Sequence, residues 1–295
     1  MDQARREPDD VTEVADDELE RAAEFRAALG LDPGQDVEAT LAALSTWHAR
    51  WPAAAPTALS MRIDIGVLGG FSVAIDGRPV TGLPVGSQRL LVFLALHDRT
   101  VSRAAIAAAI WPDVSAERAG VSLRSSLARL DGLGREAIVA ASAKLSLTDT
   151  VTVDYIQARA LAHRLLDSDT PIFDGDLAAA AIATLSRELL PDWYDEWILA
   201  ESDDWRHLRA TAVEALAVRL LKAGRFAEAE GAARAAMRVD PLRETPHSTL
   251  IRIHIADGNQ SQALGVYEAY RAALREALDL EPTETFSALV ADIHR

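Results

Sequence analysis

The sequence predicts a mainly α protein in which a small α+β region is followed by an all-α helical array. Three observations lead there. From Met61 onward apolar residues alternate with polar ones, the period of half-buried strands. Past Val153 they recur at helical spacing in six successive segments separated by turns. Within those segments AGRFAEA, starting at Ala223, is echoed by DGNQSQA, starting at Asp257. Gly224 and Gly258 therefore stand 34 residues apart, the period of a stacked helix-pair repeat.

Taken in order, residues 1–16 are acidic and poor in large apolar groups, and read as a solvated or disordered tail. Leu19, Ala22, Ala23, Phe25, Arg26 and Leu29 permit an amphipathic helix over 18–29 ended by Gly30, and Val37, Leu41, Leu44 and His48 permit a second over 36–50. Residues 51–60 are a proline- and alanine-rich linker. Ile63, Ile65 and Val67, then Phe71, Val73 and Ile75, with Gly69-Gly70 and Asp76-Gly77 as turns, predict a small antiparallel sheet. Helices over 87–97, 102–110 and 116–130 follow, the last two separated by a Trp111-Pro112-Asp113 break. Strands over 137–140 and 144–147 complete a hairpin. A sheet, three helices and a terminal hairpin are the parts of a winged helix. The array then reads as helices over 155–166, 177–185, 193–222, 226–239, 244–256 and 260–278, its many alanines allowing close helix approach. The expected organisation is an N-terminal extension over 1–60, a winged helix over 61–150 and the helical array over 151–295.

Composition excludes several classes. Apolar residues at 49% of 295 can supply cores for two domains. The lack of cysteine rules out disulfides, thiolate metal sites and thiol nucleophiles. The densest apolar runs, LLVFLAL and AAIAAAIW, fall far short of the roughly 20 residues that cross a bilayer, and the acidic start lacks the form of a secretory signal. A cytoplasmic protein with no membrane partner is expected. The net charge of −15 argues against nucleic acid until it is divided along the chain. Residues 1–60 carry 5 Lys/Arg against 13 Asp/Glu, residues 61–150 carry 10 against 8, and residues 151–295 carry 15 against 24. The only positive stretch is the one patterned as a DNA reader.

The residues support a resemblance. MRIDIGVLGGFSVAIDGRPV, SQRLLVFLALH, the Trp111-Pro112 break and SLRSSLARL resemble the N-terminal winged helix of the SARP-type transcriptional regulators. LLPDWYDEWILAE, AGRFAEAE and the run from Asp240 through ALREALDLEP are similar to their bacterial transcriptional activator domain, a tetratricopeptide-like module. The resemblance covers residues 61–295. It implies binding to direct-repeat double-stranded DNA near a promoter, commonly as a side-by-side homodimer, and recruitment of RNA polymerase by an activator. Residues 1–60 lie outside it; because the resemblance begins at Met61 they are either a real extension, which their two amphipathic helices favour, or a misassigned start.

On the helix over 116–130, Leu123, Leu127 and Leu130 define the expected buried stripe. Arg118, Val121, Arg124, Ser125 and Arg129 then fall on the opposite side or its flanks. Arginine can bond guanine or phosphate, serine either, and valine a thymine methyl. Exposed arginines on a lone helix are by default ordinary solvated charge, but third place in a winged helix favours DNA. Arg89 is read as either a phosphate contact or a surface ion pair. Relatives carry an arginine early in the hairpin and a Gly-Tyr-Arg-like run late in it. Here IVAASAKLSL offers only Lys144, which favours an alternative: an interaction scaffold whose winged helix no longer binds DNA.

The remaining signals are mostly packing signals. Trp193 and Trp197, spaced by four among carboxylates, read as core at the domain junction rather than as a sugar platform. Tyr267 and Tyr270 are candidate partner-binding residues in the array, with packing as the competing account. The dispersed histidines suit no shared metal, and neither a phosphate loop nor a GxSxG elbow occurs. No enzyme, metal or cofactor is expected.

Overall fold

The computed structural model describes residues 61–141, 143–167, 169–291 and 293. The acidic tail, the helices expected over 18–29 and 36–50, and the linker at 51–60 lie outside the described residues. Residues Met61–Arg295 form one compact unit.

Two small sheets frame the N-terminal half. Strand β1 (Ile63–Gly66) pairs antiparallel with β2 (Ser72–Ile75), opposing Ile65 to Val73, and β3 (Arg78–Pro79) follows β2. The alternation holds for Ile63, Ile65, Val67 and Val73, which are buried, whereas Phe71 and Ile75 are half-buried. A further strand, β7 (Val151–Val153), pairs parallel with β1, giving the order β3-β2-β1-β7. The second sheet has the order β4-β6-β5, from β4 (Val101–Ser102), β5 (Ile138–Ala141) and β6 (Lys144–Leu147). The hairpin expected from the sequence is thus present one residue later on its first strand, and it is anchored by β4.

Between and against these sheets lie α1 (Val85–Leu96), α2 (Arg103–Ile110), α3 (Ala116–Ala128) and α4 (Asp131–Ala137). Residues 90–96 of α1 are all buried, because α1 is covered on several sides by α2, α3, β6 and the helix over 154–166. Helix α3 stops two residues short of its expected end. Asp131 takes a left-handed φ of 52°, which breaks the helix and starts the separate α4.

The C-terminal half comprises α5 (Asp154–Leu166), a 3-10 turn (Asp174–Leu177), α6 (Ala179–Leu185), α7 (Glu196–Lys222), α8 (Phe226–Val239), α9 (Glu244–Ala256), α10 (Gln260–Leu278) and α11 (Glu284–Ala291). Successive helices pack as α7 on α8, α8 on α9 and α9 on α10. Ala229, Ala232, Ala233, Ala235 and Ala236 are buried and line α8 with small side chains. Helix α7 begins at Glu196, not Trp193. Leu190, left-handed at φ 43°, and Pro191 open a turn in which the Trp193 N–H donates to the Leu190 carbonyl at 3.0 Å.

The 34-residue repeat has a backbone basis. The Gly224 N–H donates to the Leu221 carbonyl and the Arg225 N–H to that of Leu220, each at 3.0 Å. At the end of α9 the Gly258 N–H donates to Ile255 at 3.1 Å and Asn259 to His254 at 2.7 Å. Both are the paired bonds of a Schellman cap, and both glycines sit at positive φ, 71° and 78°. A Cβ at either glycine would meet no heavy atom within 4 Å, so the cost of a side chain there is conformational alone. Gly224→Ala and Gly258→Ala are each expected to lower stability by about 1–2 kcal/mol, the left-handed penalty of an L-residue, measured by urea unfolding.

Candidate nucleic-acid interface

The Ser115 hydroxyl begins α3 by accepting the Arg118 N–H at 3.4 Å, with Glu117 in the first turn favouring the helix dipole. The buried stripe is Ala119, Leu123, Ser126 and Leu130, which corrects the expected Leu123, Leu127 and Leu130: Leu127 is only half-buried. The cause is a close approach to α1. The Ser87 hydroxyl donates to the Ser126 carbonyl at 2.8 Å, and a Cβ on Gly86 would fall 2.5 Å from the Ser126 Oγ. Two small residues let the helices meet and rotate Leu127 partly outward.

That seating turns the candidate residues to solvent. Arg118, Arg124 and Arg129 are exposed, Val121 is 52% exposed, and Ser125 is half-buried. Among the described residues none of the three guanidinium groups forms an ion pair or a side-chain hydrogen bond. Arg124 lies along its own helix, its Nη1 3.6 Å from where a Gly120 Cβ would stand. Arg103, which the sequence reading passed over, opens α2 and lines with Arg124 a cleft of about 280 Å3 between α2 and α3. Its Nε has no partner among the described residues. A helix-start arginine after a capping serine was the available signal.

The outlying candidates fall elsewhere. Lys144 is exposed on β6, opposite Ala141 and Ser102. Arg89 is engaged by Asp195, its Nη2 2.9 Å from the carboxylate, and so takes the ion-pair form of its two readings. Tyr270 is 2% exposed, gives its hydroxyl to the Leu242 carbonyl at 3.1 Å, and packs between His247 and Phe286 at 4.4 and 5.0 Å. Tyr267 stacks on Phe286 at 5.6 Å, its hydroxyl 3.2 Å from that of Ser287. Both tyrosines are placed chiefly by packing within α9, α10 and α11.

A seam joins the two halves. The Asp154 carboxylate accepts the N–H groups of Val67 at 2.9 Å and Leu68 at 3.1 Å. Burial pushes the Asp154 pKa above the usual carboxylate value, against the opposing pull of those N–H donors. A bridge pairs Leu68 with Leu189, Trp193 packs on Phe71 at 6.0 Å, and Trp197 packs on Phe93 at 5.3 Å. The tryptophans do stand at the junction, although Trp193 precedes α7.

Behind a winged helix, then, stands a helical array joined to it by a packed seam. Residues 154–294 match the model of the bacterial transcriptional activator domain. Transcriptional regulatory protein EmbR from Mycobacterium bovis and Mycobacterium tuberculosis is 27% identical over 251 residues, which cover 77% of this chain and 62% of the relative. The chain thus spans about three fifths of the length of the curated relatives it matches. A solved structure of Mycobacterium tuberculosis EmbR in complex with a low affinity phosphopeptide shares the fold, with a TM-score of 0.56 and 24% identity over 80% of this chain and 65% of that one. No helix among the described residues is long and apolar enough to cross a membrane.

Gly86→Ala is expected to push α3 from α1 and cost about 1–3 kcal/mol in urea unfolding, as overpacking does. Adding Ser126→Ala should recover most of that loss, because it removes the atom the new methyl meets.

Proposed function

We propose that the chain is a sequence-specific DNA-binding transcriptional regulator. Helix α3 enters a major groove with Arg118, Val121, Arg124, Ser125 and Arg129 toward the bases and phosphates. The observation that carries this reading is a set of three exposed guanidinium groups with no side-chain partner among the described residues, on a helix whose other face is fixed in the core. Arg103 joins them from α2, and Lys144 supplies the hairpin's contact. Arg89, held by Asp195, serves as a tie between the halves. The kinship to a transcriptional regulator and the activator domain support the further reading that the protein acts as a homodimeric activator and recruits RNA polymerase through its helical array.

The scaffold reading keeps one specific support. The hairpin carries one basic residue, and residues 151–295 are strongly acidic. Selection of genomic fragments by the purified protein separates the two: enrichment of a repeated motif belongs to the regulator, and its absence beside a stable co-purifying protein belongs to the scaffold.

A duplex from the protein's own regulated promoter should bind with log K falling linearly in log salt. Arg118→Ala, Arg124→Ala and Arg129→Ala combined should weaken binding by at least about 100-fold, since each good contact contributes about 1–3 kcal/mol. Unchanged affinity of the triple variant in a fluorescence anisotropy titration removes α3 from the interface.

A further inference from the structure

The connection from α6 to α7 forms part of the seam with its backbone and one wall of a cavity with its side chains. Gly69 N–H donates to the Glu188 carbonyl at 2.7 Å, and Leu190 N–H donates to that of Val67 at 3.0 Å. On the other side, this connection and α7 line a half-open cavity of about 240 Å3, a space equal to about eight waters of liquid.

Arg209 lines that cavity with a side chain only 6% exposed. Its Nη1 donates to the Ser186 carbonyl at 3.1 Å. Its carboxylate neighbour, Glu188, stands 3.7 Å from Nη2 and keeps 65% of its own side chain exposed. The Nε has no partner among the described residues. Charge-assisted bonds are normally about 2.7–2.9 Å long, and a buried charge is tolerated when well paired. This guanidinium is neither well paired nor fully bonded, although it offers five N–H groups. Burial pushes its pKa down, partly offset by Glu188, yet a guanidinium stays charged.

The rest of the lining is of the opposite character. Trp205 gives its Nε1–H to the Arg187 carbonyl at 3.0 Å, leaving its ring as an apolar surface. Trp193 and Leu199 line the cavity as well, and Tyr194 is 79% exposed beside them. A large ring left in water next to an under-compensated buried cation marks a surface suited to an occupant with two ends.

We infer that this cavity binds a small organic acid. Its carboxylate engages Arg209 in place of the distant Glu188, and its apolar body lies against Trp193, Tyr194 and Leu199. Arginine suits the task because its planar fork matches a carboxylate. The volume lies below the range of about 300–1,000 Å3 typical of drug-sized ligands, which restricts the acid to about one ring or a short branched chain. The inference does not rest on DNA binding, and its readout is ligand affinity alone.

The test uses the full chain and follows backbone amide shifts and tryptophan fluorescence during titration with phenylacetate or 3-methylbutanoate. The comparison ligands are 2-phenylethanol, which keeps the body without the charge, and acetate, which keeps the charge without the body. At least one of the two acids should bind saturably with shifts confined to residues around 188–209. Phenylethanol and acetate should each bind at least about tenfold more weakly, the scale of one hydrogen bond to a charged group. Arg209→Gln should lose the same factor. Glu188→Gln, at an exposed position where folding is preserved, should tighten binding several-fold by removing the competing carboxylate. No saturable binding of either acid, equal binding of phenylethanol, or weaker binding by Glu188→Gln overturns the inference. If Arg209→Gln fails to fold, the comparison ligands and Glu188→Gln still decide it.

Discussion

The placement of every other element in the N-terminal half depends on the burial of α1. Seven consecutive residues, 90–96, are removed from water, and an apolar side chain in that state contributes about 1.5–3 kcal/mol. A helix apolar on all sides must be covered on all sides. Helices α2, α3 and α5 and strand β6 do this, while Trp197 of α7 reaches Phe93. Helix α3 is seated by Gly86, Ser87 and Ser126, contacts too close to permit rotation about its axis. The outward direction of its arginines follows from that inward fit.

The same helix ties the winged helix to the array. Arg89 in its second turn holds Asp195, and the loop before α7 pairs with the chain just past β1 through the Leu68 to Leu189 bridge. Asp154 caps the arrangement by accepting two N–H groups from the far half. The seam therefore combines a backbone bridge, a carboxylate and tilted aromatic pairs. It is too well bonded for a free hinge, which gives the array a fixed stance relative to α3. The cavity under Arg209 shares residues 188–190 with this seam, so an occupant there would press on the elements that set that stance.

Much of this architecture was legible, for identifiable reasons. Helices α8, α9 and α10 have the ends read from the sequence; the start of α8, the end of α9 and the start of α10 follow from Gly224 and Gly258, because glycine at positive φ is a local signal that needs no tertiary contact. The ladders of β3, β4 and β7 were not legible, since pairings two or three residues long leave no periodicity. The end of α3 was missed because Asp131, not a glycine, takes the left-handed turn. At the candidate interface the exposed arginines followed from helical geometry. The burial of Ser126 did not, since a serine on an apolar stripe carries no sign of the glycine that faces it. Arg209 was invisible for a similar reason: one arginine in a long helix reads as solvated charge until its surroundings are seen.

The chain holds no cysteine, so a single introduced thiol reports position without ambiguity. The most direct test of the account places an iron chelate on Val121→Cys, at the centre of the exposed face of α3, and maps hydroxyl-radical cleavage on a duplex recovered by genomic selection. A chelate on Ile255→Cys, exposed on α9, is the control. The account predicts cleavage clustered about one major groove per bound protomer from position 121 and none at those bases from position 255. Equal or absent cleavage from the two positions on a bound duplex would contradict it.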